Sequence, residues 1–159
     1  MSDVSGPVRI IGIGNRDRGD DAFGPRVVDA FQDRLPEHVS ALEHSGEVAG
    51  LVDLMTDAAA VYLVDAAVMG LEPGCLRVFD ASGSPLPAMG GAFSSHALGL
   101  SEAIELARAL DVLPPVCRVF AVEAVSFEAG EELTEPVASA VPGVVQAVID
   151  SIRQEYVHA

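Results

Sequence analysis

The sequence predicts one α/β domain over residues 1–159, a three-layer sandwich in which a mostly parallel, twisted sheet of about five strands is flanked by helices. Three observations predict this fold. Short apolar runs alternate with longer segments whose apolar residues recur at helical spacing. The 159 residues fit a single domain and show no internal repeat or linker. Half of the residues are hydrophobic, yet only 5% are aromatic, so Ala, Val and Leu should fill the core.

The first half of the chain begins with a strand, a polar loop and a helix. The β-branched run Val8–Ile13 is typical of a buried parallel strand. After the loop Gly14–Asp21, helical spacing of apolar residues predicts a helix over Ala22–Leu35, which Pro36 ends. The next predicted elements are a strand at Val39–Glu43, a helix at Val48–Asp57 and an apolar strand at Ala58–Val64 that ends at Asp65.

The second half contains an unusually long loop, Asp80–Ser95, which is rich in Gly, Pro and Ser. Long loops in compact domains tend to be functional. The other predicted elements are strands at Cys75–Phe79 and Val116–Val122, an amphipathic helix at Leu98–Leu110, and a last helix that Thr134 can cap and that runs to about Tyr156, followed by a flexible tail at 156–159.

The charge of the chain excludes some classes of partner. Nine Lys and Arg residues face 24 Asp and Glu residues, which gives a net charge of −15. Nucleic acid and anionic membrane surfaces are therefore not expected as partners, whereas a cation or a basic protein is compatible. Because no signal peptide or membrane-spanning run is recognisable, we expect a cytoplasmic protein. The two cysteines, Cys75 and Cys117, are expected to be reduced, buried thiols.

Three polar residues follow predicted strands or a loop in a way that suggests a shared site. Asp21 closes the loop after the first strand, Asp65 follows an apolar strand, and His96 ends the long loop. Ligands of open α/β sheets bind at the carboxyl ends of the strands, where these loops would meet. Two carboxylates and one imidazole suit a divalent cation and leave positions for water or substrate. Taken singly, each residue also has an ordinary structural interpretation, such as helix capping for Asp21.

The motifs around these residues resemble the signature of the hydrogenase maturation endopeptidases. That signature has a strand, Gly-x-Gly-Asn, a short loop, an acidic pair and a following glycine. It is matched by IIGIGN at Ile10–Asn15 and by GDDAFG at Gly19–Gly24. The resemblance continues in LVDA at Leu63–Ala66, in SHALGL at Ser95–Leu100 and over Gly130–Val137. It therefore covers nearly the whole chain in the expected order.

The resemblance implies a function and a site. Members of the family remove a short C-terminal extension from the large-subunit precursor of a nickel–iron hydrogenase after nickel has been inserted. Their three metal-binding positions fall on Asp21, Asp65 and His96, which would be both the catalytic and the metal-binding residues. Asp20 would support the loop. The expected cofactor is a divalent metal, nickel in the first instance, either resident or supplied by the substrate. A monomer is expected.

One departure from the family pattern bears on the substrate. Many members carry Asp-Gly-Gly-Thr after the second strand, whereas this chain has His44-Ser45-Gly46-Glu47. His44 and Glu47 are therefore candidate substrate-binding residues, and a turn of merely different sequence is an equal alternative.

Two other functions remain open from the sequence. A non-catalytic nickel-binding or chaperone module could use the triad only to bind. An unrelated α/β hydrolase with structural residues at these positions would bind no metal. For a peptidase, the sequence leaves open whether a metal or a free carboxylate activates water.

Overall fold

The computed structural model of the protein describes residues 6–32, 34–86 and 97–156. A 3-10 turn at Gly19–Ala22 precedes the first helix. The strands are β1 (Val8–Ile13), β2 (Val39–His44), β3 (Ala60–Ala67), β4 (Leu76–Asp80) and β5 (Val116–Glu123), and the helices are α1 (Phe23–Ala30), α2 (Val48–Thr56), α3 (Ala97–Ala109) and α4 (Glu135–Tyr156). The sheet has the order β2-β1-β3-β5-β4, with only β4 antiparallel to its neighbour. The predicted α/β fold is confirmed.

The sheet separates two apolar layers, and β3 at its centre is buried along its whole length. Tyr62 and Val64 face the layer formed with α1 and α4. Val61 and Leu63 face the layer formed with α2 and α3. Burial on both faces explains why the strand is a continuous apolar run rather than an alternating one. Among the described residues, no helix is long and apolar enough to span a bilayer.

Two glycines let α1 lie directly on the backbone of β1. A Cβ atom on Gly12 would stand 2.2 Å from the carbonyl oxygen of Gly24, and one on Gly24 would stand 2.4 Å from that of Ile13. Side chains at either position would separate the helix from the strand. This contact holds the 3-10 turn, which contains Asp20 and Asp21, against the carboxyl end of the sheet.

Several element boundaries differ from the sequence prediction, and two of these differences have a clear physical cause. The strand that was expected to end at Asp65 continues to Ala67, because its ladder with β5 extends to the pair Ala67–Glu123. Asp65 therefore lies inside β3. The first helix ends at Ala30 instead of Leu35. Hydrogen bonds between residues three apart replace the helical pattern, starting with Phe31 N–H to the carbonyl oxygen of Val28 at 3.1 Å.

The two cysteines differ in environment, so the expectation of two buried thiols was wrong for one of them. Cys117 is fully buried in β5, as expected. Cys75 is exposed just before β4. Burial raises the pKa of the Cys117 thiol to about 12, because the interior disfavours the charged thiolate.

We expect a thiol reagent at pH 8 to label one of the two cysteines in the native protein and both after denaturation. Cys75 is accessible, whereas Cys117 is shielded and its raised pKa keeps it protonated. Mass spectrometry of the labelled protein checks this. A Cys75→Ser variant should take up no label until it unfolds, and rapid native labelling of that variant would contradict the prediction.

Candidate active site

Asp65 is a buried carboxylate inside the sheet. It is 3% exposed, and it follows Leu63 by two residues, so it lies on the face that packs against α2 and α3. Val64 pairs with Gly12, which places Asp65 beside Ile13 on the neighbouring strand. One side-chain oxygen, Oδ1, accepts a hydrogen bond from the N–H of Ala66 at 2.8 Å. The side chain is thus fixed near the carboxyl end of β3.

Asp21 approaches the same end of the sheet from the 3-10 turn, which contacts β3. It is 1% exposed, and its Oδ2 accepts a hydrogen bond from the N–H of Asn15 at 3.1 Å. Gly14 has φ +147°, and a Cβ atom there would stand 1.8 Å from the carbonyl oxygen of Asp21. The loop after β1 therefore requires glycine at this position. The N-cap of α1 is Ala22, without a side-chain hydrogen bond, so Asp21 does not cap that helix.

Asp20 has a structural role, as the sequence predicted for it. It is fully buried. Its Oδ2 accepts hydrogen bonds from the N–H groups of Val125 and Ser126 at 2.8 and 3.1 Å. Its Oδ1 accepts one from the N–H of Thr134 at 2.7 Å, and the Thr134 hydroxyl donates to both oxygens at 3.0 Å. Asp20 thereby ties the loop after β5 to the turn that carries Asp21.

The third predicted ligand, His96, lies outside the described residues. The helix that follows it, α3, begins at Ala97. A Cβ atom on Gly99 would stand 3.0 Å from the carbonyl oxygen of Gly46, in the turn after β2. The start of α3 therefore packs closely against that turn, on the face of the sheet that carries Asp65.

His44 and Glu47, the predicted substrate-binding residues, lie in and after β2. His44 ends the strand and pairs with Ile13, so His44 and Asp65 flank Ile13 on one face of the sheet. Its Nδ1 accepts a hydrogen bond from the N–H of Gly46 at 2.9 Å. Glu47 is exposed and caps α2, where its carboxylate accepts from the first N–H groups of the helix at 2.9 and 3.1 Å. Capping gives Glu47 a structural role, and substrate binding by either residue stays a prediction.

A groove of about 460 Å³ opens at the end of β2, and we call it the β2-end groove. Arg16 in its wall makes hydrogen bonds to Asp29 at 2.8 and 2.9 Å and to Glu43 at 3.1 Å. The hydrogen bonds and charge of the Arg16 guanidinium hold the pKa of Asp29 below its usual value. The lining residues are Gly14, Asn15, Arg16, Glu43, His44 and Ser45.

Sequence reasoning gave no role to Glu123, a buried carboxylate at the end of β5. It is 4% exposed, and its Oε1 accepts hydrogen bonds from the N–H groups of Met69 and Leu71 at 2.8 and 3.1 Å. Glu123 therefore anchors the loop that follows Asp65 and β3. Like Asp65, Glu123 is an acidic residue directly after an apolar run, and this position in the sequence could have identified it as a residue at the carboxyl edge of the sheet.

The donors on this edge of the sheet fit a divalent cation in chemistry. Asp21 and Asp65 supply hard carboxylate oxygens from buried positions, and an imidazole would add a borderline nitrogen. Buried carboxylates need hydrogen-bond donors or a cation nearby. In residues 6–32, 34–86 and 97–156, no three His, Cys, Asp or Glu side chains are grouped as for a metal ion. The third predicted donor, His96, lies beyond these ranges.

The fold and the buried acidic residues near the carboxyl ends of its strands define an α/β protein with a candidate site on that edge of the sheet. A model of the family described as hydrogenase maturation protease matches residues 25–151, a range that includes Asp65 and His96. The chain belongs to the hydrogenase maturation protease family and is a peptidase.

Individual relatives agree with this assignment. The chain is 30% identical over 153 residues to the coenzyme F420 hydrogenase subunit delta of Methanothermobacter thermautotrophicus, covering 91% of this chain and 94% of that protein. It is 26% identical to the hydrogenase expression/formation protein HupD of Rhizobium leguminosarum, covering 92% and 74%. The fold is similar to that of the hydrogenase maturating endopeptidase HybD from E. coli, with a TM-score of 0.81, 22% identity and 94% coverage of both chains.

Proposed function

We propose that this protein is an endopeptidase that removes the C-terminal extension of the large-subunit precursor of a nickel–iron hydrogenase after nickel insertion. It would act in the cytoplasm, as a monomer, on this protein partner. Family membership supports the reaction class. The relatives with hydrogenase-formation names support the partner.

One observation in the structure supports an active site at Asp21 and Asp65. Two adjacent buried aspartates have different surroundings, because Asp20 is surrounded by hydrogen-bond donors from the loop after β5, whereas Asp21 lies against β1 and β3. Asp20 supports the loop after β5, and Asp21 lies at the edge that also carries Asp65, which supports the assignment of Asp21 rather than Asp20 to the active site. A buried acidic residue without a capping role is a better ligand candidate than an ordinary N-cap.

The predicted triad would hold a divalent cation, nickel in the first instance. Asp21 and Asp65 would contribute carboxylate oxygens and His96 a ring nitrogen. When bound, such a cation lowers the pKa of a water molecule and polarises the carbonyl group of the scissile peptide. If the nickel arrives with the precursor, a carboxylate of the triad would accept a proton from the attacking water as a general base.

A cleavage assay tests the function. Purified protein is incubated with a nickel-loaded large-subunit precursor of a nickel–iron hydrogenase from the same organism, and with the same precursor lacking nickel. We expect loss of a short C-terminal peptide only from the nickel-loaded form, measured as intact mass. A His96→Ala variant whose circular dichroism spectrum matches that of the wild type should leave the precursor uncleaved.

The outcomes separate the candidate functions. Nickel-dependent cleavage that requires His96 supports the endopeptidase. Binding of the nickel-loaded precursor without cleavage would instead favour the non-catalytic nickel-binding module. Metal analysis of the purified protein before substrate is added distinguishes a resident cation from one that the precursor supplies.

A further inference from the structure

The outer edge of β2 presents backbone groups that an additional strand could use. β2 lies at one end of the sheet and, among the described residues, pairs only with β1. The carbonyl oxygen of His44 accepts a hydrogen bond from the N–H of Gly14 at 3.1 Å, so His44 faces β1. Successive residues of a strand direct their backbone groups to opposite sides. Those of Ala41 and Glu43 therefore point away from the sheet.

Two grooves flank this edge at opposite ends of the strand. The β2-end groove lies beside Glu43 and His44. A second groove, of about 380 Å³, lies between α1 and the start of β2, and Phe31, Leu35 and Ala41 contribute to its wall. Strand addition derives affinity from main-chain hydrogen bonds and specificity from pockets that take alternate side chains. Alternate residues of an added strand stand roughly 7 Å apart, so such pockets suit an extended peptide.

The charge between the two grooves indicates what kind of peptide would bind. Asp29 lines the second groove and Glu43 lines the β2-end groove, and Arg16 bridges them. The three side chains carry one net negative charge, with the Asp29 and Glu43 side chains 42% and 45% exposed. The chain as a whole carries −15. A segment with basic side chains is therefore the complementary partner.

We propose that the β2 edge binds an extended, basic segment of the substrate protein by strand addition, close to the bond that is cleaved. This rests on the proposed endopeptidase function and names the surface that recognises the precursor. β2 ends at His44, and Asp65 lies two strands away on the same face. The added strand would lie one strand further out than β2, so roughly 14 Å would separate it from β3, and about five extended residues beyond the strand would reach the edge that holds the predicted triad.

An Ala41→Pro variant tests the proposal. Proline removes the outward N–H of Ala41 and places its ring where the added strand would lie, and edge strands tolerate it. The matched control is Val78→Pro on the other edge strand. Just after β4, the N–H of Ala81 donates a hydrogen bond to the carbonyl oxygen of Cys117, so the backbone groups of Ala81 face β5. Because the direction of the backbone groups alternates along a strand, those of Val78 point away from β5. We expect Ala41→Pro to raise the KM for the nickel-loaded precursor roughly three- to tenfold with little change in kcat. Val78→Pro should behave like the wild type.

Hydrogen exchange of the wild-type protein tests the same surface without any variant. We expect the amides of Ala41 and Glu43 to exchange more slowly when the nickel-loaded precursor is added, while that of Val78 does not change. If the precursor is cleaved, the amides of Ala41 and Glu43 show no slower exchange and Ala41→Pro has the KM of the wild type, the β2 proposal is overturned and the endopeptidase function is not. Protection without any cleavage would overturn the endopeptidase instead. If these amides exchange slowly before any precursor is added, and the protein is a dimer that Ala41→Pro dissociates, the β2 edge binds a second copy of this chain. That outcome would overturn the proposal.

Discussion

Asp21→Asn is expected to abolish precursor cleavage while the fold remains intact. The amide oxygen of asparagine can still accept the hydrogen bond from Asn15 N–H, which Asp21 accepts at 3.1 Å. The variant loses the negative charge that a cation or an attacking water requires. Removal of a residue that only supports a metal ligand lowers the metal affinity or activity of a site roughly 10- to 100-fold, and removal of a direct ligand should lower it further. Processing rates with the nickel-loaded precursor and nickel titration calorimetry measure the two effects.

This variant also separates the alternative functions. In a non-catalytic module, the substitution would remove nickel affinity from a wild-type protein that cleaves nothing. Loss of helix capping does not complicate the comparison, because Ala22 is the N-cap of α1. Precursor cleavage at the wild-type rate by Asp21→Asn would remove Asp21 from the active site.

The strands of this protein could be predicted closely because parallel strands buried on both faces leave an uninterrupted apolar run. The predicted first strand, Val8–Ile13, has the bounds of β1. The predicted last strand, Val116–Val122, is one residue shorter than β5. In both cases the run of apolar residues ends within one residue of the last paired residue of the strand. Local composition was therefore sufficient.

Asp65 shows where local composition fails. Its charge interrupts the apolar run, so the strand was expected to end before it, yet Asp65 pairs with Ala121 and the ladder continues for two more residues. Backbone pairing depends on the neighbouring strand rather than on the polarity of one side chain. The sequence therefore predicted correctly that Asp65 lies at the carboxyl edge of the sheet, but it could not show that Asp65 is part of β3.

The supporting groups of the site could be predicted only in part. The resemblance to the family signature implied that Asp20 supports the loop and that Asp21 is the predicted ligand. The hydrogen bonds of Asp20 agree with its supporting role. The partners of Glu123 lie more than fifty residues earlier in the chain, so no local pattern identifies them. Glu47 caps α2, a role that the sequence did not predict, because residues 44–47 correspond to the Asp-Gly-Gly-Thr motif of the family and therefore suggested substrate binding.

Asp20→Asn is expected to destabilise the protein, in contrast to the same substitution at the next residue. An asparagine has one acceptor oxygen, so its NH₂ group would face either the N–H groups of Val125 and Ser126 or the N–H of Thr134. Each buried donor left unpaired costs about 1–3 kcal/mol, so we expect a loss of about 2–4 kcal/mol in the free energy of unfolding. For a domain of this size the melting temperature should fall by roughly 4–16 °C.

Thermal unfolding followed by circular dichroism, with Asp21→Asn as the matched control, decides the matter. Both residues are buried and adjacent, and both receive the same substitution. Asp20→Asn should also loosen the loop after β5, which hydrogen exchange at Val125 and Ser126 would register. A melting temperature equal to that of the wild type would show that the loop is held by other contacts. A larger fall in the Asp21→Asn variant would reverse the roles assigned to the two aspartates, because the stabilising residue would then be the proposed ligand.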